Sequence, residues 1–126
     1  MNCPFCDPAS DPTQRIVLES RHSWFLERPQ PVLRGSGVIV PKRHCATVFE
    51  LDPAEWADTR ELLLRVKGRM DAAHHPDGYN VGYNCGAAAG QEIAHAHLHV
   101  IPRFADEPLA GRGLRYWIKQ PENARP

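Results

Sequence analysis

The chain has 126 residues, with 15 Lys+Arg against 15 Asp+Glu and a formal net charge of zero, enough for one domain with a real core and no disulfide staples. The neutral balance gives no field toward nucleic acid or an anionic membrane. No run approaches the roughly 20 apolar residues of a membrane span, and the start MNCPFCDPAS has neither the basic nor the apolar region of a secretory signal. The expectation is a cytoplasmic protein with no nucleic-acid or membrane partner, whose four cysteines are metal ligands or free thiols.

In chain order, CPFC (3–6) comes first. C-x-x-C is half of a tetrahedral zinc site. A redox motif would follow a strand and open a helix, and no strand precedes Cys3. Zinc needs two further ligands, and the pattern alone leaves His22, His44, His74, His75, Cys45, Cys85 and the histidines at 95–99 open. RIVLES (15–20) and SWFLE (23–27) are predicted strands with a tight turn at Arg21–His22. RPQPVLRGSG is a loop, and VIVP (38–41) is a buried strand closed by Pro41. The Lys42-Arg43-His44 cluster after it reads as a solvated basic turn, or as a turn that lets His44 reach a metal.

LDPAEWADTRELLLRVKGRMDAAHH carries the strong helix signal. Asp52 suits the N-cap, Pro53 the first helical position and Glu55 a capping box. Trp56, Leu63, Val66 and Met70 recur at helical spacing and are expected to form its apolar face. PDG (76–78) makes a turn, and YNVGYN (79–84) alternates as a half-buried strand with Tyr79, Val81 and Tyr83 on one side. In CGAAAGQE (85–92), Gly86 and Gly90 permit close backbone approach to a ligand, and successive N–H groups there suit a phosphate. HAHLHVI (95–101) is a fifth strand, and the tail after it is mostly irregular. Five strands with one long helix after the third give an α+β architecture.

The stretch HAHLHVIPR (95–103) bears the chemistry. Strand alternation puts His95, His97 and His99 on one face and Ala96, Leu98 and Val100 on the other. Imidazoles titrate near neutrality and serve as base or nucleophile with little tuning, and a row of them suits a polyphosphate. A His-rich polar face without function is the bland alternative. A catalytic zinc held by the histidines is another, although only Glu92 stands near as a carboxylate ligand.

Together these pieces resemble the histidine triad family of nucleotide hydrolases and transferases. HAHLHVIPR matches His-φ-His-φ-His-φ-φ (φ apolar), NCGAAAGQ (84–91) is similar to the family's Asn-x-Gly-x-x-x-Gly-Gln approach, and VIVPKRH (38–44) resembles the upstream strand and turn. The resemblance implies an α+β fold over a single domain, 1–126: a five-stranded antiparallel sheet with one long helix and a short one, usually paired as a homodimer. It implies a zinc-binding N-terminal segment (1–8) and a C-terminal tail (102–126). It implies attack by His97 on the α-phosphorus of a purine nucleotide, a nucleotidyl-histidine intermediate and its hydrolysis. His99 would attend phosphate or leaving group, Asn84, Gly90 and Gln91 would hold ribose and phosphate, and Phe25 and Val38 would wall the base. The CxxC resembles zinc-binding bacterial members, in which Cys3, Cys6, His44 and His95 would form a structural Cys₂His₂ site.

Two residues depart from the family pattern. Ser36 stands where many members have a histidine before the apolar strand; it can donate a hydrogen bond but cannot carry charge. Glu92 follows Gly-Gln where Ser or Thr often contacts phosphate, so its backbone N–H is expected to face the ligand. AGRGLRYW (110–117) resembles C-terminal segments of members that hydrolyse dinucleoside polyphosphates, with Arg112 and Arg115 set for distal phosphates or for ordinary surface charge. The expected function is hydrolysis at the α-phosphate of a nucleoside polyphosphate, a dinucleoside polyphosphate such as diadenosine tetraphosphate, or a nucleoside phosphoramidate. Nucleotide binding with little catalysis and nucleotidyl transfer are the alternatives.

Overall fold

A computed structural model describes residues 3–126; Met1 and Asn2, at the start of the expected zinc-binding segment, lie outside the described residues. Five strands form one sheet: β1 (Arg15–Glu19), β2 (Ser23–Glu27), β3 (Gly37–Pro41), β4 (Gly78–Gly82) and β5 (Leu98–Arg103). Their order is β1-β2-β3-β5-β4, with every pairing antiparallel. The long helix α1 (Pro53–His74) packs on one face, and the short helix α2 (Leu114–Ile118) lies in the tail. This is the α+β architecture expected. Among the described residues no helix is long and apolar enough to cross a membrane.

The start of α1 follows from local chemistry. Asp52 accepts from the Glu55 amide at 2.8 Å, Glu55 accepts from the Asp52 amide at 2.9 Å, and Pro53 occupies the first turn. The helix ends at His75, which takes a left-handed conformation (φ 49°). Its buried stripe differs from the one expected. Glu55, Thr59, Leu62, Val66 and Met70 face the sheet, Leu63 packs at the margin, and Trp56 is 56% exposed. Trp56 instead stacks on Tyr83, with ring centroids 6.5 Å apart. The polar Glu55 takes the inner position because Arg43 and the Asp52 amide satisfy its carboxylate.

The core on the helix side joins Phe25, Ile39, Leu98 and Val100 to Leu62, Val66 and Met70. On the opposite face Leu26 and Val40 meet Cys3 and Phe5 of the N-terminal segment. Two strand boundaries move. β4 stops at Gly82, and its Val81, expected to be half-buried, is 48% exposed at the sheet edge. β5 begins only at Leu98 and runs on to Arg103, so His95 and His97 precede the ladder. Local bonds hold that bend: the His95 amide donates to Ile93 O and the Ala96 amide to Cys45 O, both at 2.8 Å.

Candidate functional site

The face away from α1 carries two adjoining features. The first is a cluster of Cys3, Cys6, His44 and His95, whose four ligand atoms all lie within 4.8 Å of one another. His95 Nδ1 is 3.4 Å from Cys3 Sγ, 3.5 Å from Cys6 Sγ and 3.2 Å from His44 Nδ1. His44 Nδ1 is 3.2 Å from Cys6 Sγ. A tetrahedral zinc with nitrogen at about 2.0 Å and sulfur at about 2.3 Å has edges of roughly 3.3–3.8 Å. The protonation pattern agrees. His95 Nε2 donates to Pro41 O at 2.8 Å, which leaves Nδ1 as a lone pair turned into the cluster. Burial, opposed by the bond to Pro41 O and reinforced by the neighbouring His44 and His97, lowers the pKa of His95 and so favours the neutral, ligating form. Burial and the adjacent Cys3 sulfur push the Cys6 thiol up, a repulsion that a cation relieves. The donor set therefore fits a metal, and it unites all four residues named from the resemblance.

The second feature is a cavity of about 390 Å³. His97 and His99 form one wall, with ring centroids 4.8 Å apart. His97 Nδ1 donates to the His95 backbone carbonyl at 2.9 Å. That bond holds a proton on Nδ1, so the neutral imidazole has its lone pair on Nε2. His99 Nε2 is buried without a hydrogen-bond partner among the described residues, and burial followed by the neighbouring His97 lowers its pKa. A buried polar nitrogen with no partner is costly unless a ligand supplies one.

Asn84, Gly90, Glu92, Ser36 and Val38 also line the cavity. Gly90 (φ 91°) and Gly86 (φ 89°) both take the conformation that favours glycine. Gln91 stands behind the wall rather than in it. Its Oε1 accepts from the Gly86 amide at 2.8 Å, and its Nε2 donates to Ala46 O at 2.6 Å and Ile93 O at 3.0 Å. Gln91 thus shapes the loop that carries Asn84 and Gly90. The Ser36 hydroxyl donates to Leu33 O at 2.7 Å. Phe25 lies in the helix-side core, so the wall beside Val38 is Leu26, its partner in the β2–β3 register. Arg112 lies outside the cavity of its own chain: its guanidinium covers the rings of Tyr116 (5.0 Å) and Trp117 (5.9 Å), and its carbonyl accepts from Arg103 at 3.0 Å.

Phe5, Gln14, Glu27 and Ile93 line the cavity without having been expected there. Phe5 sits between the cysteines of CPFC and contacts His97 at 5.1 Å between centroids, so its place follows from that of Cys3 and Cys6. Glu27 could be anticipated only from the β2–β3 pairing, and Gln14 has no local signal.

Comparison with known proteins agrees with this geometry. The HIT domain family model matches residues 10–106. The chain is 30% identical over 127 residues to an adenosine 5′-monophosphoramidase of Schizosaccharomyces pombe, covering 99% of this chain and 92% of that one. It is 37% identical over 122 residues to an adenylylsulfatase of Arabidopsis thaliana, covering 90% of this chain and 61% of that one. Among solved structures, a Zn-bound histidine triad family protein from Mycobacterium smegmatis superposes with a TM-score of 0.74 at 28% identity, covering 91% and 86% of the two chains.

Proposed function

The chain belongs to the HIT domain family, and from that premise we propose that it hydrolyses a nucleotide at the α-phosphate through a nucleotidyl intermediate on His97. Substrates of this class are nucleoside polyphosphates, dinucleoside polyphosphates and nucleoside phosphoramidates. The observation that carries the reading is the His97–His99 pair on the cavity wall, one imidazole with its proton held on Nδ1 and the other with an orphan buried Nε2.

In this mechanism His97 Nε2 attacks the α-phosphorus. An N–P bond forms as the P–O or P–N bond to the leaving group breaks. His99 carries the proton on Nε2 and donates to a phosphate oxygen or to the departing atom. Asn84 and the Gly90 backbone hold phosphate and ribose, with Gln91 setting their loop, and Glu27 meets the sugar hydroxyls. Water then cleaves the N–P bond, releasing the nucleoside monophosphate and restoring His97. Cys3, Cys6, His44 and His95 would hold a zinc, which would supply a structural crosslink between the N-terminal segment and the histidine stretch. His95, within that set, presents the backbone carbonyl that fixes the His97 tautomer. The chemistry itself needs no metal.

The rest of the reading is a homodimer joined along β4 and a reducing, cytoplasmic setting. The exposed β4 edge carries Val81, beside an apolar hollow lined by Leu63, Leu64 and Tyr79; the thiols of all four cysteines are free. A second reading, nucleotide binding with little turnover, draws on Ser36, whose hydroxyl is engaged by Leu33 O and stands where an imidazole could have supported proton transfer. Turnover of adenosine 5′-phosphoramidate and diadenosine tetraphosphate by wild type and by His97→Ala separates the two. The hydrolase reading expects wild-type turnover that the variant lacks; binding without product favours the second.

A further inference from the structure

The end of the cavity away from the histidines is lined by a glutamine whose amide is fixed by its neighbours. Gln14 is 9% exposed and lines the cavity. Its Nε2 donates to Pro4 O at 2.7 Å and to Pro8 O at 3.3 Å. Both partners are carbonyls, so the flipped amide would set oxygen against oxygen. The orientation is therefore determined, and both N–H groups are spent. Oε1, with no hydrogen-bond partner among the described residues, is the polar atom Gln14 has left for a ligand.

Its place in the sheet matters as much as its chemistry. Arg15 pairs with Glu27, so Gln14 lies across from Arg28, on the face that carries Leu26 and Val38. The order β1-β2-β3-β5 sets it three strands from His99, roughly 14 Å at the usual strand spacing. Glu27 lies one strand closer to the histidines. The charges at this end are tied internally: Arg28 to Asp11 at 2.6 Å and Glu27 Oε1 to Arg15 at 3.0 Å. Phe5, Leu26 and Leu33 supply apolar surface for a flat ring.

We infer that Gln14 reads the base: its amide oxygen accepts an N–H from the edge of the ring. The site then takes an aminopurine such as adenine and discriminates against a purine with no donor on that edge. This rests on the nucleotide reading above and deepens it.

Calorimetric titration with adenosine 5′-monophosphate and with purine riboside 5′-monophosphate, which lacks only the amino group, tests the inference without turnover. Wild type is expected to bind the adenine nucleotide on the order of tenfold more tightly. Equal affinities would overturn the assignment of Gln14 and leave the nucleotide reading standing. Failure to bind either nucleotide would overturn the nucleotide reading itself, and the inference with it. Gln14→Met, verified by zinc content and a thermal melt, is expected to lose the preference; a folded variant that keeps it shows that another group reads the base. If that variant does not fold, wild type is titrated with the N6,N6-dimethyl nucleotide, which has no N–H at that position. It is expected to bind as weakly as the purine riboside compound, and affinity equal to that of the parent would refute the hydrogen bond.

Discussion

Glu55→Ala removes a buried carboxylate that ties the start of α1 to the turn bearing His44. In the wild type Oε1 accepts from the Asp52 amide at 2.9 Å and from Arg43 Nη2 at 2.7 Å, and Oε2 accepts from Arg43 Nε at 3.0 Å. Loss of the capping bond costs about 1 kcal/mol. Loss of one buried methylene costs about 0.8 kcal/mol more. At about 4 °C per kcal/mol for a chain of this length, the melting temperature at pH 7 is expected to fall by about 7 °C. The Arg43 pairing adds a pH signature. The Arg43 hydrogen bonds, reinforced by the Asp52 amide and opposed by burial, hold the Glu55 pKa below its ordinary value of 4.5. Stability from such a lowered carboxylate is full above the unfolded pKa and is lost as pH falls through the folded one. The gap between wild type and variant should therefore be greatest near neutrality and shrink below about pH 4.5. The difference between the two melts, measured by circular dichroism at each pH, isolates Glu55. A drop under about 2 °C at neutral pH, or a gap unchanged in acid, would refute the clamp.

Other outcomes follow from single contacts. A Cβ on Gly37 would stand 2.5 Å from the Phe25 ring and 2.6 Å from Leu26 O; Gly37→Ala is expected to cost about 1–3 kcal/mol in urea unfolding, and a neutral result contradicts the packing. Cys3→Ser should lower zinc from one per chain to a small fraction by elemental analysis, and full retention removes Cys3 from the ligand set. Gln91→Ala frees the loop at 85–91 and should weaken nucleotide binding about tenfold with little change in the melt; unchanged affinity speaks against the loop as phosphate cradle. Burial first, then weaker charge effects, raises Tyr83 to about 12, so its ionisation by ultraviolet titration should lag far behind that of an exposed tyrosine.

Local signals carried much of the fold. The Asp52-Pro53-Glu55 start of α1 was legible because each partner lies within three residues. The inner face of α1 was not, since Glu55 is buried on account of Arg43, twelve positions upstream, and hydropathy ranks Trp56 far above it. Alternation identified which histidines share a face but not their separate tasks. Those depend on contacts such as Cys3–His95, 92 residues apart, which the family resemblance anticipated and spacing could not. Of the expected base wall, Val38 lines the cavity, while alternation buries Phe25 under α1 and turns Leu26 outward in its place. Gln14 carries no local signal, because its partners are carbonyls displayed by the N-terminal segment only once it is folded.

The central claim is that His97 becomes covalently nucleotidylated. Wild type is mixed with adenosine 5′-phosphoramidate, denatured in alkali to preserve the N–P bond, and digested for mass spectrometry. The expected result is an adenylyl group on the peptide containing His97, absent from His97→Ala, which also fails to turn over. An adduct on another residue, or undiminished turnover by His97→Ala, would contradict the account.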